Sequence, residues 1–191
     1  METRELLERV EHGEEAAQEG EAFGRRAAVL VSVLAAFLAI SSLAGNRAAT
    51  EAILSQEKAS DTYNEYQANS LKRHVNLDDS ALLRIIAAGG PNEAAALKQA
   101  ASLDQAVAEK YQPNQDALLP HAQELEHERD IAESRHRVFE MAEAGFQIAI
   151  VLSSISIVAR ASALLIAGGA LGILGVLLAL DGFTLAVPLP F

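Results

Sequence analysis

The residues best suited by type and spacing to chemistry are two Glu-x-x-His pairs, Glu124 with His127 and Glu133 with His136. In di-iron helical bundles this spacing sets a Glu and a His on one helix face, and two such pairs plus two further Glu residues close around the metals. Here both pairs fall on one helical stretch, about 13 Å apart along its axis. A single metal site needs them on different helices, so only an assembly of several copies would build it. A charged, solvated helix face accounts for the same four residues without any ligand. Cysteine is absent, which removes disulfides, thiolate ligands and a Cys nucleophile. Nucleophile elbows, phosphate-binding Gly loops and zincin motifs are absent too. Glu143 and Asp181 adjoin strongly apolar stretches, where an acid serves either an ion or proton pathway or the lipid headgroup zone. No constellation converges. The sequence therefore predicts no enzyme activity and no cofactor, and it offers a metal nothing beyond Glu124, His127, Glu133 and His136.

The elements that must carry these residues are helices, and three of them are apolar all round: 27–44, 144–159 and 161–180. A bilayer needs such helices, whereas a soluble chain of this size could not cover them. The first spans about 27 Å, close to the hydrocarbon thickness. Its Val29, Leu30, Val31, Val33, Leu34, Phe37, Leu38, Ile40 and Leu43 together favour insertion by about 3–5 kcal/mol. Arg25 and Arg26 close one end, and Gly45, Asn46 and Arg47 the other. Ser42-Leu43-Ala44 has the small-x-small spacing of a signal-peptide cleavage site, but the preceding leader is long and acidic, so an anchor is expected. From Met141 to Leu180 a straight helix would run about 60 Å, twice what a bilayer needs. Something must turn, and Arg160 is the charged residue available for it, although no Gly or Pro marks the place. The third span ends at Asp181-Gly182, and the apolar tail with Pro188 and Pro190 is expected at the interface.

Small residues recur at helix-packing intervals: Gly168, Gly172 and Gly175 in the third span, Gly145, Ala149 and Ser153 in the second, and Ala28, Ser32 and Ala36 in the first. Such faces let backbones approach closely in lipid, within one bundle or between copies. General richness in Ala and Gly gives the same pattern.

The formal net charge of −11 argues against nucleic acid and against an anionic lipid surface as partner. The segment between the first two spans exceeds the loop length over which positive charge governs orientation. Arg4, Arg9, Arg25 and Arg26 then fall on the same side as Arg160, which should be cytoplasmic; Arg47, Arg129, Arg135 and Arg137 compete from the other side. Residues 45–140 are thereby expected outside the inner membrane, in the periplasm of a Gram-negative cell.

That polar segment reads as helical. Residues 46–88 lack Gly and Pro, Gly89-Gly90-Pro91-Asn92 stops the chain, and Asn92 is placed to cap a helix from Glu93 to Tyr111. Gln112-Pro113-Asn114 predicts a second break, and Pro120 a kink or restart in the helix that runs on to Phe139. Heptad-like traces run through Ala49, Ile53, Gln56, Ser60, Tyr63, Gln67, Ser70, His74, Leu77, Ala81 and Ile85, and through Leu118, Ala122, Leu125, Arg129, Ala132, His136 and Phe139. Together they suggest an antiparallel, coiled-coil-like hairpin.

The expected fold is thus all-α. An acidic N-terminal segment (1–26) leads into a first transmembrane helix (27–44). An extramembrane helical domain (45–140) follows, then transmembrane helices 141–159 and 161–180 and a tail (181–191). Phe23-Gly24-Arg25-Arg26, Gly45-Asn46-Arg47-Ala48-Ala49-Thr50-Glu51-Ala52, Ala59-Ser60-Asp61, Tyr66-Gln67-Ala68, His127-Glu128-Arg129-Asp130 and Ala179-Leu180-Asp181-Gly182-Phe183 add a second kind of information. Their order resembles the bacterial membrane family called domain of unknown function 4337. The resemblance covers most of the chain, and the Gly-Asn-Arg-Ala-Ala-Thr-Glu-Ala stretch is its most specific part. Tyr63 stands where that pattern often has Trp, and the Pro-containing tail is longer than usual. The resemblance implies the three-span layout and brings no activity, cofactor or catalytic residue. The leading expectation is a structural or interaction protein whose partners are the bilayer and either further copies of itself or another membrane complex. A channel or transporter accessory subunit is the alternative.

Overall fold

The computed structural model describes residues 2–185, and side chains over residues 20–185. The side chains of Arg4, Arg9 and His12, and the tail with Pro188 and Pro190, lie outside the described residues. Four α-helices account for nearly all of the rest: α1 (Glu2–Ala87), α2 (Glu93–Ala106), α3 (Gln112–Ala159) and α4 (Ser162–Thr184). A π-helical segment, Val107–Tyr111, leads from α2 into α3. No strand occurs among the described residues. Three helices, α1, α3 and α4, are long and apolar enough to cross a membrane.

The punctuation differs from expectation in several places. Gly45-Asn46-Arg47 does not interrupt α1; a lone Gly costs only about 1 kcal/mol in a helix, and this one is used for a close approach described below. The stop at 88–92 is present, with Gly89 at φ 73, a conformation that favours glycine. Asn92 makes no side-chain cap; instead its carbonyl accepts from the Ala96 N–H at 3.1 Å. Pro113 makes no break. The π turn shifts the hydrogen-bond register just ahead of it, and a proline has no N–H to leave unpaired. Pro120 lies inside α3, which continues through it without restarting. Pro120 and Asp116, whose carbonyl loses its usual donor, are both exposed, so water can take that place.

Two compact units emerge, Met1–Ala49 with Ala132–Phe191, and Thr50–Ile131. In the first, Ala27, Leu34, Ser41 and Ala48 are buried at steps of seven along α1. They face α3 and α4 around a core of Leu34, Ala142, Phe146, Ala149 and Ala179, with Leu30, Leu38, Ile150, Leu171, Val176 and Leu178 packed against it. Phe37 stacks on Phe146 at 6.0 Å between ring centroids. The large branched side chains of the same helices, among them Val29, Ile40, Ile148, Val151, Ile166, Ile173 and Leu177, point outward.

Between α3 and α4 the chain reverses at Arg160, φ 49, the left-handed conformation a helix C-terminus commonly uses. The Ala161 N–H reaches back to the Ser156 carbonyl at 3.2 Å, the six-to-one bond of a Schellman turn. Helix α4 runs past Asp181-Gly182 to Thr184, and Leu185 takes the left-handed position there.

In the second unit α1 buries Ser55, Ala59, Asn69, Ser80 and Ala87, with Thr62, Tyr66, Arg73, Asn76 and Leu83 partly buried in the same row. The steps alternate four and three, as the sequence pattern predicts, but the row lies one residue away from the expected trace. Ile53, Leu77 and Ile85, which drew that trace, are exposed. Small side chains take the inner positions because α3 supplies the bulk: Leu125 and Ala122 are buried, and the α3 trace keeps its expected register.

Candidate functional site

The four metal candidates are engaged elsewhere or solvated. Glu124 lies 3.8 Å from His121, and His127 is exposed. Glu133 pairs with Arg137 at 3.1 Å. His136 donates from Nδ1 to the Gly45 carbonyl at 3.1 Å and sets Nε2 3.4 Å from Glu140. A carbonyl oxygen only accepts, so Nδ1 is the protonated nitrogen. Among the described residues no group of three or more His, Asp or Glu is arranged to hold a metal ion.

What the structure does bring together is the set of small residues. Steps of seven along α4 meet steps of seven running the opposite way along α3, pairing Gly168 with Ser153, Gly175 with Phe146 and Gly182 with Phe139. A Cβ on Gly175 would lie 2.8 Å from the Phe146 ring, and one on Gly182 2.9 Å from the Phe139 ring. At Gly168 a Cβ would strike Ser153 Oγ and approach the Ala149 carbonyl to 2.9 Å. Gly172 faces Leu34 of α1, at 2.5 Å from the same imagined atom. Gly145 faces the Gly175 backbone, and Ala149 and Ser153 are fully buried. The seam is thus aromatic rings and a leucine seated in glycine hollows, the close packing that small residues permit. Phe139, Phe146 and Leu34 were not among the expected site residues. The signal for the two rings was available as the seven-residue spacing they share with Gly175 and Gly182. Ala28, Ser32 and Ala36 are exposed and take no part.

The flanking charges divide. Arg25, Arg26, Arg47 and Arg160 are exposed. Glu143 is half-buried beside Gly45, where an added Cβ would lie 3.5 Å from Glu143 Oε1 and 3.2 Å from Phe139 Cβ. Gly45 therefore sits where a larger residue would crowd Phe139 and Glu143 of α3. Asp181 is half-buried, and its carbonyl accepts from the Leu185 N–H at 2.6 Å.

In the second unit polar bonds also link the helices. The Tyr63 hydroxyl donates to Glu126 at 3.0 Å, Arg129 donates to Gln56 at 2.6 Å, and Arg84 pairs with Asp104. The hydrogen bond to Glu126, then desolvation and the carboxylate's charge, push the Tyr63 phenol above its ordinary value of 10.0, against a smaller lowering by Arg129.

A protein-family model, domain of unknown function DUF4337, matches residues 23–185. The chain belongs to this family. The match takes in all three apolar helices, the glycine seam and the whole second unit, and membership carries no assigned activity. No curated protein and no solved structure matches the chain.

Proposed function

We propose that this chain is a multi-pass inner-membrane scaffold. Three helices anchor it, and residues 45–140 form a helical hairpin outside the membrane that associates with further copies or docks a membrane complex. The observation that carries the reading is the direction of the apolar side chains. In the most apolar 18-residue windows of α1, α3 and α4, only 17%, 28% and 22% of residues are buried within the protein. Water leaves such surfaces unfavourably exposed, whereas hydrocarbon covers them. The inter-helix bonds Tyr63–Glu126 and Arg129–Gln56 support the hairpin. Arg25, Arg26 and Arg160, together with Arg4 and Arg9, support a cytoplasmic N-terminus.

Carbonate washing of native vesicles tests the anchor: the chain stays in the pellet, and release into the supernatant overturns the reading. Native-gel mass after gentle detergent extraction tests association: a strict monomer with no co-purifying partner overturns the scaffold. Labelling of Ser102→Cys by an impermeant maleimide on intact cells tests sidedness, and full protection reverses the orientation. A channel accessory is the second reading, favoured by the buried hydroxyls of Ser41 and Ser153, which have no protein partner. Liposome flux separates the two; conductance at no voltage or pH removes it.

A further inference from the structure

A cleft of about 350 Å³ opens within the second unit, where α1 meets the start of α3. Tyr66 and Arg73 of α1 form one wall, and Gln112, Gln115, Asp116, Leu119 and Pro120 of α3 the other. The antiparallel bonds Tyr63–Glu126 and Arg129–Gln56 set the register that brings these walls together. The volume falls in the range of small-molecule sites. Both helices carry something unfinished here. The π turn Val107–Tyr111 ends at the cleft, and such turns are frequent at functional sites. Pro120 leaves the Asp116 carbonyl without its usual helical donor. Arg73 is half-buried, its Nε is closed off from water, and its guanidinium has no hydrogen bond or ion pair to any described residue. Drawing a cation partly out of water without an anion is costly, so the arrangement favours an arriving anion. Asp116 does not neutralise it: no ion pair joins the two, and Gln112 Nε2 donates to the Asp116 carboxylate at 3.2 Å.

We propose that this cleft binds a small zwitterion, a free α-amino acid, with its carboxylate on Arg73 and its ammonium at Asp116. Charge selects the class. The cleft holds one cation and one anion that are not paired with each other. A simple anion would be repelled by Asp116, and a simple cation by Arg73, whereas a molecule carrying both charges satisfies both. A guanidinium presents parallel N–H groups that match a carboxylate. The ammonium finds two kinds of acceptor at one residue, the Asp116 carboxylate and its freed carbonyl. The Gln115 amide and the Tyr66 hydroxyl add neutral hydrogen-bonding groups. Leu119, Pro120 and the Tyr66 ring supply an apolar side, which favours an apolar side chain on the ligand. This goes beyond the scaffold reading and stands apart from it, because every wall residue belongs to the second unit.

Calorimetric titration of the full-length chain in detergent with leucine and with glycine tests the site. Leucine should bind saturably and more tightly than glycine. Leucinamide lacks the carboxylate and N-acetylleucine lacks the ammonium; each should bind roughly tenfold more weakly or worse, having lost a hydrogen bond to a charged group. Arg73→Gln should weaken leucine binding by a similar factor, roughly tenfold, with helical circular dichroism unchanged. Lys72→Gln, at an exposed neighbour outside the cleft, should leave binding as it is. Leucine should also slow hydrogen exchange over residues 66–73 and 112–120. Saturable binding of neither amino acid overturns the site. Leucinamide or N-acetylleucine binding as well as leucine overturns the zwitterion, the latter reducing the cleft to an anion site. Native affinity in a folded Arg73→Gln overturns the role of the guanidinium. The analogues are read on the unaltered chain, so they decide the matter even where that variant does not fold. Absence of binding by a chain of oligomeric mass overturns this site alone, and a strict monomer that binds leucine overturns the scaffold alone.

Discussion

The two units pack their helices by different means on similar helical spacing. In the first, Phe139, Phe146 and Leu34 fill hollows left by Gly182, Gly175 and Gly172, with Ser153 against Gly168. In the second, α1 contributes Ser55, Ala59, Asn69 and Ser80 to its inner row, and the links to α3 are Tyr63–Glu126 and Arg129–Gln56. Both turn large aliphatics outward. In the first unit these surround every helix, as a surface solvated by lipid would require. In the second they are scattered over α1 and α2, among them Ile53, Leu71, Leu77, Ile86 and Leu97. The difference teaches that outward apolar residues form a belt where the helices are apolar all round and stay scattered where the helices are largely polar.

Truncation should break this contrast most visibly. Leu125 supplies bulk to the second unit from α3 and is 6% exposed. Leu125→Ala should cost about 2–5 kcal/mol of local stability, read as faster hydrogen exchange across residues 118–132 of the detergent-solubilised chain. In the first unit, filling a hollow is the harsher insult. Gly168→Ala meets a backbone carbonyl that cannot move aside and should cost about 1–3 kcal/mol, measured by thermal melting in detergent. Gly175→Ala should cost less, since a ring can shift, and adding Phe146→Ala should show coupling of about 0.5–3 kcal/mol in a double-mutant cycle. Equal, additive effects at the two glycines would undo the distinction between backbone and ring contacts.

A smaller effect is expected at the reversal. Arg160 holds a left-handed conformation that costs a side-chain-bearing residue about 1–2 kcal/mol. Arg160→Gly should therefore raise the melting temperature, net of the entropy glycine adds to the unfolded chain. The smallest effect is at Tyr63. Its raised phenol binds its proton more tightly in the folded chain, so its contribution is present below pH 10.0 and is lost as pH rises through the shifted value. Tyr63→Phe should remove that alkaline loss, visible as a flatter pH dependence of exchange near residues 60–66 above pH 10.0.

Several features were legible from residue types. The apolar runs, the stop at Gly89-Gly90-Pro91-Asn92, and the small residues at Gly168, Gly172, Gly175, Ala149 and Ser153 follow from local chemistry and spacing. The α3 row was legible because Leu118, Ala122, Leu125, Ala132 and Phe139 carry its apolar signal themselves. The α1 row was misplaced by one residue because large aliphatics on an outward face outweigh Ser and Ala on an inward one in any reading by hydrophobicity. The breaks expected at Pro113 and Pro120 were misjudged because a π turn and solvent exposure can absorb a proline within a helix.

By itself the sequence determined helix and apolar length, since propensity and hydropathy are properties of neighbouring residues. It also determined family membership, through an ordered set of short motifs. Tertiary structure alone decided which face of α1 turns inward, which ring enters which glycine hollow, and that His136 bonds to the Gly45 carbonyl. Those outcomes depend on what the opposing helix presents, and the opposing helix lies up to about a hundred residues away, beyond the reach of any local pattern.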